Sequence, residues 1–176
     1  MTVPNAEGTE FISALWEIDP AGERPARRLT FGAKGERDPC FTDGDLLFLA
    51  ARPNPARAAG DADAPSALWL LPVEGGEARL AGRRPGGLSA VVPARGADRL
   101  VALSPTLPGA VSGEDDEQRR AARRDGKVTA ILHAGYPVRC WDHDLGPDQP
   151  RLLAARLASG HPEPVDWIDL GAALLK

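Results

Sequence analysis

Apolar residues in this chain come in short blocks separated by turn residues. The clearest are 46–50 (Leu-Leu-Phe-Leu-Ala), 67–71 (Ala-Leu-Trp-Leu-Leu), 88–92 (Leu-Ser-Ala-Val-Val), 100–103 (Leu-Val-Ala-Leu) and 128–132 (Val-Thr-Ala-Ile-Leu). Blocks this short, bounded by Gly, Pro or Asp, predict strands, since an amphipathic helix needs about ten residues or more to show its period. Most are apolar at every position instead of every second one. That predicts strands covered on both faces.

Between the blocks lie the residues of tight turns. Asp43-Gly44 precedes the first block, Gly75-Gly76 separates Leu70-Leu71-Pro72-Val73 from Ala78-Arg79-Leu80, and Asp19-Pro20-Ala21-Gly22 separates Leu15-Trp16-Glu17-Ile18 from Arg27-Arg28-Leu29. Gly and Asp supply the positive φ of antiparallel hairpins, so the strands are expected to be neighbours in chain order. No helix regularly separates them, which excludes a doubly wound α/β fold.

One stretch departs from this pattern. Residues 113–125 (Gly-Glu-Asp-Asp-Glu-Gln-Arg-Arg-Ala-Ala-Arg-Arg-Asp) are polar all round, acidic at the start and basic at the end. They predict a solvated surface helix with Ser112 as N-cap, Gly126 as the C′ residue and i,i+4 pairs Asp115 to Arg119 and Asp116 to Arg120. Its basic end is a candidate anion site, although a helix obeying its dipole accounts for the same pattern. Residues 151–158 read either as a strand or as a helical turn started by Pro.

A repeat orders these elements. Ser13-Ala14-Leu15-Trp16 recurs as Ser66-Ala67-Leu68-Trp69, an offset of 53 residues that also carries Asp45 onto Asp98. A weaker third copy is read at Trp141-Asp142-His143-Asp144-Leu145, followed by Arg151-Leu152-Leu153. Four strands in about 40 to 50 residues is the spacing of propeller blades. The excess is assigned to the loop from Arg52 to Pro65.

Composition adds limits. The 176 residues suit one domain, and 19 Gly with 17 Pro fit many short elements. A net charge of −4 argues against a nucleic-acid-coating protein. Met1 to Glu10 has neither the basic nor the apolar region of a signal peptide, and no 18 apolar residues run together, so a cytoplasmic, membrane-free protein is expected. Cys40 and Cys140 are the only thiols, expected as reduced, buried small hydrophobes.

The stretch 13–30 (Ser-Ala-Leu-Trp-Glu-Ile-Asp-Pro-Ala-Gly through Arg-Arg-Leu-Thr), then 38–48 (Asp-Pro-Cys-Phe-Thr-Asp-Gly-Asp-Leu-Leu-Phe), resembles the N-terminal β-propeller of the prolyl oligopeptidase family of serine peptidases. Acylaminoacyl-peptidase and dipeptidyl-peptidase-like bacterial members are the most similar. The resemblance continues through 67–79 and through Val138-Arg139-Cys140-Trp141-Asp142-His143-Asp144-Leu145, covering about residues 13 to 155. Non-enzymatic propellers of the TolB type share such motifs.

Two features depart from the family. Thr42-Asp43-Gly44 lacks the Pro usual in the blade turn, and the peptidase domain's Gly-x-Ser-x-Gly is missing. Gly87-Leu88-Ser89-Ala90-Val91 and Gly109-Ala110-Val111-Ser112-Gly113 both fail the spacing. The resemblance therefore implies a propeller relative that is inactive alone.

Other constellations give no site. Cys140, Asp142, His143 and Asp144 form the densest group of ligand-type side chains, but on a strand Cys140 and His143 would face opposite ways. A Ser-His-Asp triad could be drawn from Ser89, Ser104, His133 or His161, with nothing local to activate either serine. Trp16, Trp69, Trp141 and Trp167 are read as packing between blades, and Arg27-Arg28 and Arg83-Arg84 as exposed strand-end charges. No catalytic, cofactor-binding or metal-binding residue is expected.

The sequence thus predicts an all-β protein. Its expected architecture is a partial β-propeller of about three four-stranded antiparallel blades with one inserted surface helix. An N-terminal extension (1–12) precedes the propeller domain (13–176), with blade portions at 13–30, 38–82 and 87–157. The resemblance implies the substrate-gating part of a peptidase, with peptides as ligands of the full enzyme. A peptidase domain or the remaining blades on another chain, or self-association, would complete it. Two further readings stay open: a stand-alone interaction module, and a β-sandwich in which the two Ser-Ala-Leu-Trp copies are coincidence.

Overall fold

The structure, a computed structural model, describes residues 1–5, 7–42, 44–53, 64–133, 138–157 and 166–171. Strands dominate it, joined by one helix. The chain opens with a hairpin of β1 (Thr2–Pro4) and β2 (Phe11–Ser13), where the sequence suggested only an extension. β3 (Trp16–Glu17) then pairs with β4 (Arg27–Arg28) across the Asp19–Gly22 turn, as its chemistry predicts.

Two larger sheets follow, each an antiparallel meander in chain order. The first consists of β5 (Glu36–Thr42), β6 (Asp45–Ala50), β7 (Ala67–Leu71) and β8 (Arg79–Gly82). The second begins with β9 (Ala90–Pro93) and β10 (Arg99–Thr106). It then leaves for α1 (Gly113–Asp125) and a small hairpin of β11 (Arg139–Cys140) and β12 (His143–Asp144). It returns with β13 (Gln149–Arg156) and β14 (Ile168–Asp169), giving the order β9-β10-β13-β14.

Apolar side chains stack these sheets. Leu15, with Leu29 beside it, packs on Leu46, Phe48, Ala50 and Trp69 of the β5–β8 sheet. From the other face of that sheet Leu47, Leu49 and Leu68 meet Leu88, Val91, Leu100 and Ala155. The β5–β8 sheet is therefore covered on both faces, as continuous apolar β6 predicts, and Leu46 to Ala50 are all buried. The repeat reaches into this packing. Leu15 and Leu68, 53 residues apart, each face the next sheet. Gly35 (φ +79°) and Gly87 (φ +82°) close similar turns against the backbones of Ser13 and Ser66, where an added Cβ would lie within about 3.2 Å.

The structure corrects several expectations. Residues 128–132 form no strand and are exposed, since no ladder pairs them with another strand among the described residues. Trp141 and Asp142 are the turn between β11 and β12, not a third repeat copy, and the ambiguous 151–158 segment is strand through Arg156. Trp141 is 95% exposed at φ +55°, so it packs no core. Cys140 is exposed and Cys40 half-buried. Cys40 packs against the core between the two large sheets, and burial, aided by Asp38, pushes its thiol pKa up.

Helix α1 has its expected bounds and its Ser112 cap, whose hydroxyl accepts from the Asp115 amide at 3.1 Å. Its terminus differs. Gly126 stays right-handed at φ −76°, and Lys127 takes the left-handed position one residue later. The helix is also not wholly solvated, since Asp116 is fully buried. Asp43 and most of the long loop before Pro65 lie outside the described residues.

Candidate functional site

Helix α1 is held to the second large sheet by charge. Asp116 Oδ1 accepts the Leu107 amide at 2.9 Å, and its Oδ2 accepts from Arg120 Nε at 3.1 Å. Arg120 also donates to the Pro105 carbonyl at 3.2 Å and to Asp148 at 2.5 Å. Burial pulls the Arg120 pKa down, but its hydrogen bonds to Asp148 and Asp116 more than offset this, so it lies above the ordinary value. Arg84 comes close as well, and burial lowers its pKa while Asp116 and Asp169 partly restore it. Arg84 is thus partly buried in the charged cluster instead of being an exposed strand-end charge. Among the described residues its Nε is buried without a hydrogen-bond partner.

An adjoining face of α1 forms one wall of a cavity of about 890 Å³, which Leu107 and Asp148, the partners of Asp116 and Arg120, also line. Leu107, Ala122, Leu132, Leu145 and Pro150 give it an apolar lining. Arg119, Arg123, His133 and Asp148 are its charged and titratable members. Arg119 and Arg123 share a helix face because they are four residues apart. Each is oriented by one bond: Arg119 to Asp115 at 2.9 Å, and Arg123 to the Ala130 carbonyl at 3.0 Å. The Arg119 bond, with the Val111 amide, holds Asp115 below the usual carboxylate range. Apolar walls beneath two guanidiniums suit an extended apolar ligand with a carbonyl or carboxylate at one end.

The residues singled out in the sequence are spread apart. Ser89 is exposed and donates to the Leu103 carbonyl at 3.2 Å; Ser104 is buried and donates to the Gly87 carbonyl at 2.8 Å. Both hydroxyls stitch β9 and β10 to their surroundings, whereas His133 lies in the cavity wall. His161 lies outside the described residues. Cys140 and Asp142 belong to the β11–β12 hairpin, with His143 and Asp144 on its second strand. Among the described residues no three His, Cys, Asp or Glu side chains gather as metal ligands.

Two polar devices escape sequence reading. Glu36 is fully buried and accepts from Thr30 Oγ1 at 2.8 Å, the Gly32 amide at 2.6 Å and Arg52. Arg52 in turn lies over the Phe48 and Trp69 rings, 5.0 and 5.6 Å from their centroids. Arg37 reaches from β5 to the carbonyls of Ser89 and Leu88, at 2.7 and 2.8 Å, and so fastens the two large sheets together. Only Glu36, an acid between two glycine turns and an apolar block, carries a local signal.

No described helix is long and apolar enough to cross a membrane. A scan against family models finds no match, and a search of curated proteins finds no relative.

Proposed function

We propose that this chain is a non-catalytic module of stacked blade-like sheets, serving as part of the substrate gate of a prolyl oligopeptidase-type serine peptidase. The observation that carries this reading is the pair of four-stranded meanders, β5-β6-β7-β8 and β9-β10-β13-β14, stacked face to face through Leu47, Leu49, Val91 and Leu100. Consecutive antiparallel strands in sheets buried by their neighbours are the building plan of a propeller. The Ser-Ala-Leu-Trp repeat supports the same plan. In this role the chain contributes surface that admits or rejects peptides, and the catalytic groups come from a separate domain.

The test uses the chain as bait in an extract of its source cells treated with a fluorophosphonate probe. A captured partner labelled on a serine supports the gating role, provided the chain itself is unlabelled. Labelling of the chain's own Ser89 or Ser104 would overturn it. A second reading, a stand-alone interaction module, is favoured by the fully exposed Trp141 at a hairpin tip, since aromatic side chains anchor interfaces. Capture that yields no labelled partner would favour this second reading.

A further inference from the structure

We infer that the cavity beside α1 binds a small amphiphilic anion, a carboxylate carried on a hydrocarbon chain. The inference stands on the charge and the lining of the cavity, and holds whether or not a peptidase partner exists.

The charges in the cavity wall do not cancel among the described residues. Arg119 is matched by Asp115, and Asp148 by Arg120. Arg123 is half-buried, and its one bond, through Nη2, goes to the neutral Ala130 carbonyl; no described carboxylate lies within ion-pair distance of it. His133, the remaining titratable group in the wall, carries no negative charge in either of its states. A guanidinium partly withdrawn from water is stabilised by an anion, and a carboxylate can accept from two of its N–H groups at once. Arg119, one helical turn before Arg123, extends the cationic strip along the same wall.

The same site gives a place to the apolar run 128–132, which joins no ladder. The Val128 amide donates to the Arg123 carbonyl at 2.8 Å, and the Arg123 side chain holds the Ala130 carbonyl at 3.0 Å, so the run is tied back to the end of α1. Leu132 then enters the cavity wall while 89% exposed. A leucine that lines a cavity yet touches so little of the protein is taken out of water when an apolar chain lies beside it.

The rest of the lining selects the kind of tail. A peptide brings backbone groups that need partners of their own. Three wall residues, Pro108, Pro147 and Pro150, have no amide hydrogen to give a peptide carbonyl. A hydrocarbon chain asks for none, and Leu107, Leu132 and Leu145 offer it apolar contact. At about 890 Å³ the cavity lies in the range of small-molecule sites, about 300–1,000 Å³. Apolar walls with a few convergent charged groups are the usual make-up of such a site.

The experiment titrates sodium decanoate, below its micellar concentration, into the full chain and reads the heat of binding. Saturable binding is expected, with none for decyltrimethylammonium, which has the same tail and the opposite charge. Arg123→Gln should weaken decanoate binding about tenfold, the loss of a charge-assisted bond. Ala122→Phe, at an exposed helix position in the cavity wall, fills the space and should abolish binding with circular dichroism unchanged. The pair Val101→Thr with Leu103→Thr, on the open face of the second sheet, should leave binding as it is. Absent binding, equal binding of both amphiphiles, or binding that ignores Arg123→Gln and Ala122→Phe, would overturn the inference. Saturable binding of the peptide Ala-Leu-Val-Leu but not of its amide, with no decanoate bound, would overturn the occupant and assign the cavity to a peptide end.

Discussion

β6 and β10 hold the same place in successive sheets, each second in a four-stranded meander, yet they live in different surroundings. Leu46 to Ala50 of β6 are all buried. β10 alternates: Leu100 and Ala102 are buried, while Val101 and Leu103 on its other face are 37% and 38% exposed. The cause is the number of covering layers. The β5–β8 sheet has the β3–β4 hairpin on one side and the β9–β14 sheet on the other, whereas among the described residues the latter has one covered face. It compensates at its end, where α1 is tied down through Asp116, Arg120 and Asp148. One sheet is held by apolar contact on two faces, the other by apolar contact on one face and by charge.

The largest expected effect separates the two strands. Phe48 is fully buried, so Phe48→Ala should cost about 3–5 kcal/mol, the range of large-to-small core substitutions. Val101→Ala, on the half-exposed face, should cost about 1 kcal/mol or less. Urea denaturation of both variants measures the difference. Equal losses would break the comparison, because they would mean that the outer face of β10 is packed as tightly as β6.

The second effect tests the charged anchor. Asp116→Ala removes a fully buried carboxylate that serves Leu107 and Arg120 together, and should cost about 3 kcal/mol, as for one partner of a buried pair. Asp148 is partly exposed, and Asp148→Ala should cost about 1 kcal/mol or less. Thermal unfolding of both variants ranks them. If Asp148→Ala proved the more damaging, the anchor would belong to the segment leading into β13 and not to the helix.

How much of this was legible depends on how local the cause is. The bounds of α1, its Ser112 cap and the pairs from Asp115 and Asp116 to the arginines four residues on were readable, because each involves residues within one or two helical turns. So were the β3–β4 and β7–β8 turns, set by Asp19 to Gly22 and by Gly75-Gly76. The strand blocks at 46–50 and 67–71 were readable too. The burial of Asp116 was not, since it depends on Leu107 arriving from β10. Nor was Arg37, whose acceptors at Leu88 and Ser89 lie about fifty residues away. Residues 128–132 show the limit from the other side. They have the composition of a strand, but composition does not bring a pairing partner within reach. The cavity beside α1 was readable only as a basic helix end; its apolar walls come from three separate segments.

The smallest effect on stability concerns the open face of the second sheet, where the alternation of β10 has a consequence in solution. Val92, Val101, Leu103, Leu152 and Ile168 share that face through the ladders of β9, β10, β13 and β14, and all are exposed to some degree. The block at 100–103 is more apolar than one covered face requires. Soluble monomers keep contiguous apolar patches to a few hundred Å², so this face is where association is to be tested. The double substitution Val101→Thr with Leu103→Thr puts β-branched, strand-compatible side chains at both positions while making the face polar. It should shift stability by no more than about 1 kcal/mol, since neither residue sits in the core. It should nevertheless reduce the fluorescence of a bound apolar dye and lower self-association in light scattering. A dye signal unchanged by the pair would place the sticky surface elsewhere. A large loss of stability would mean that Val101 and Leu103 are already covered, and the contrast between β6 and β10 would fail.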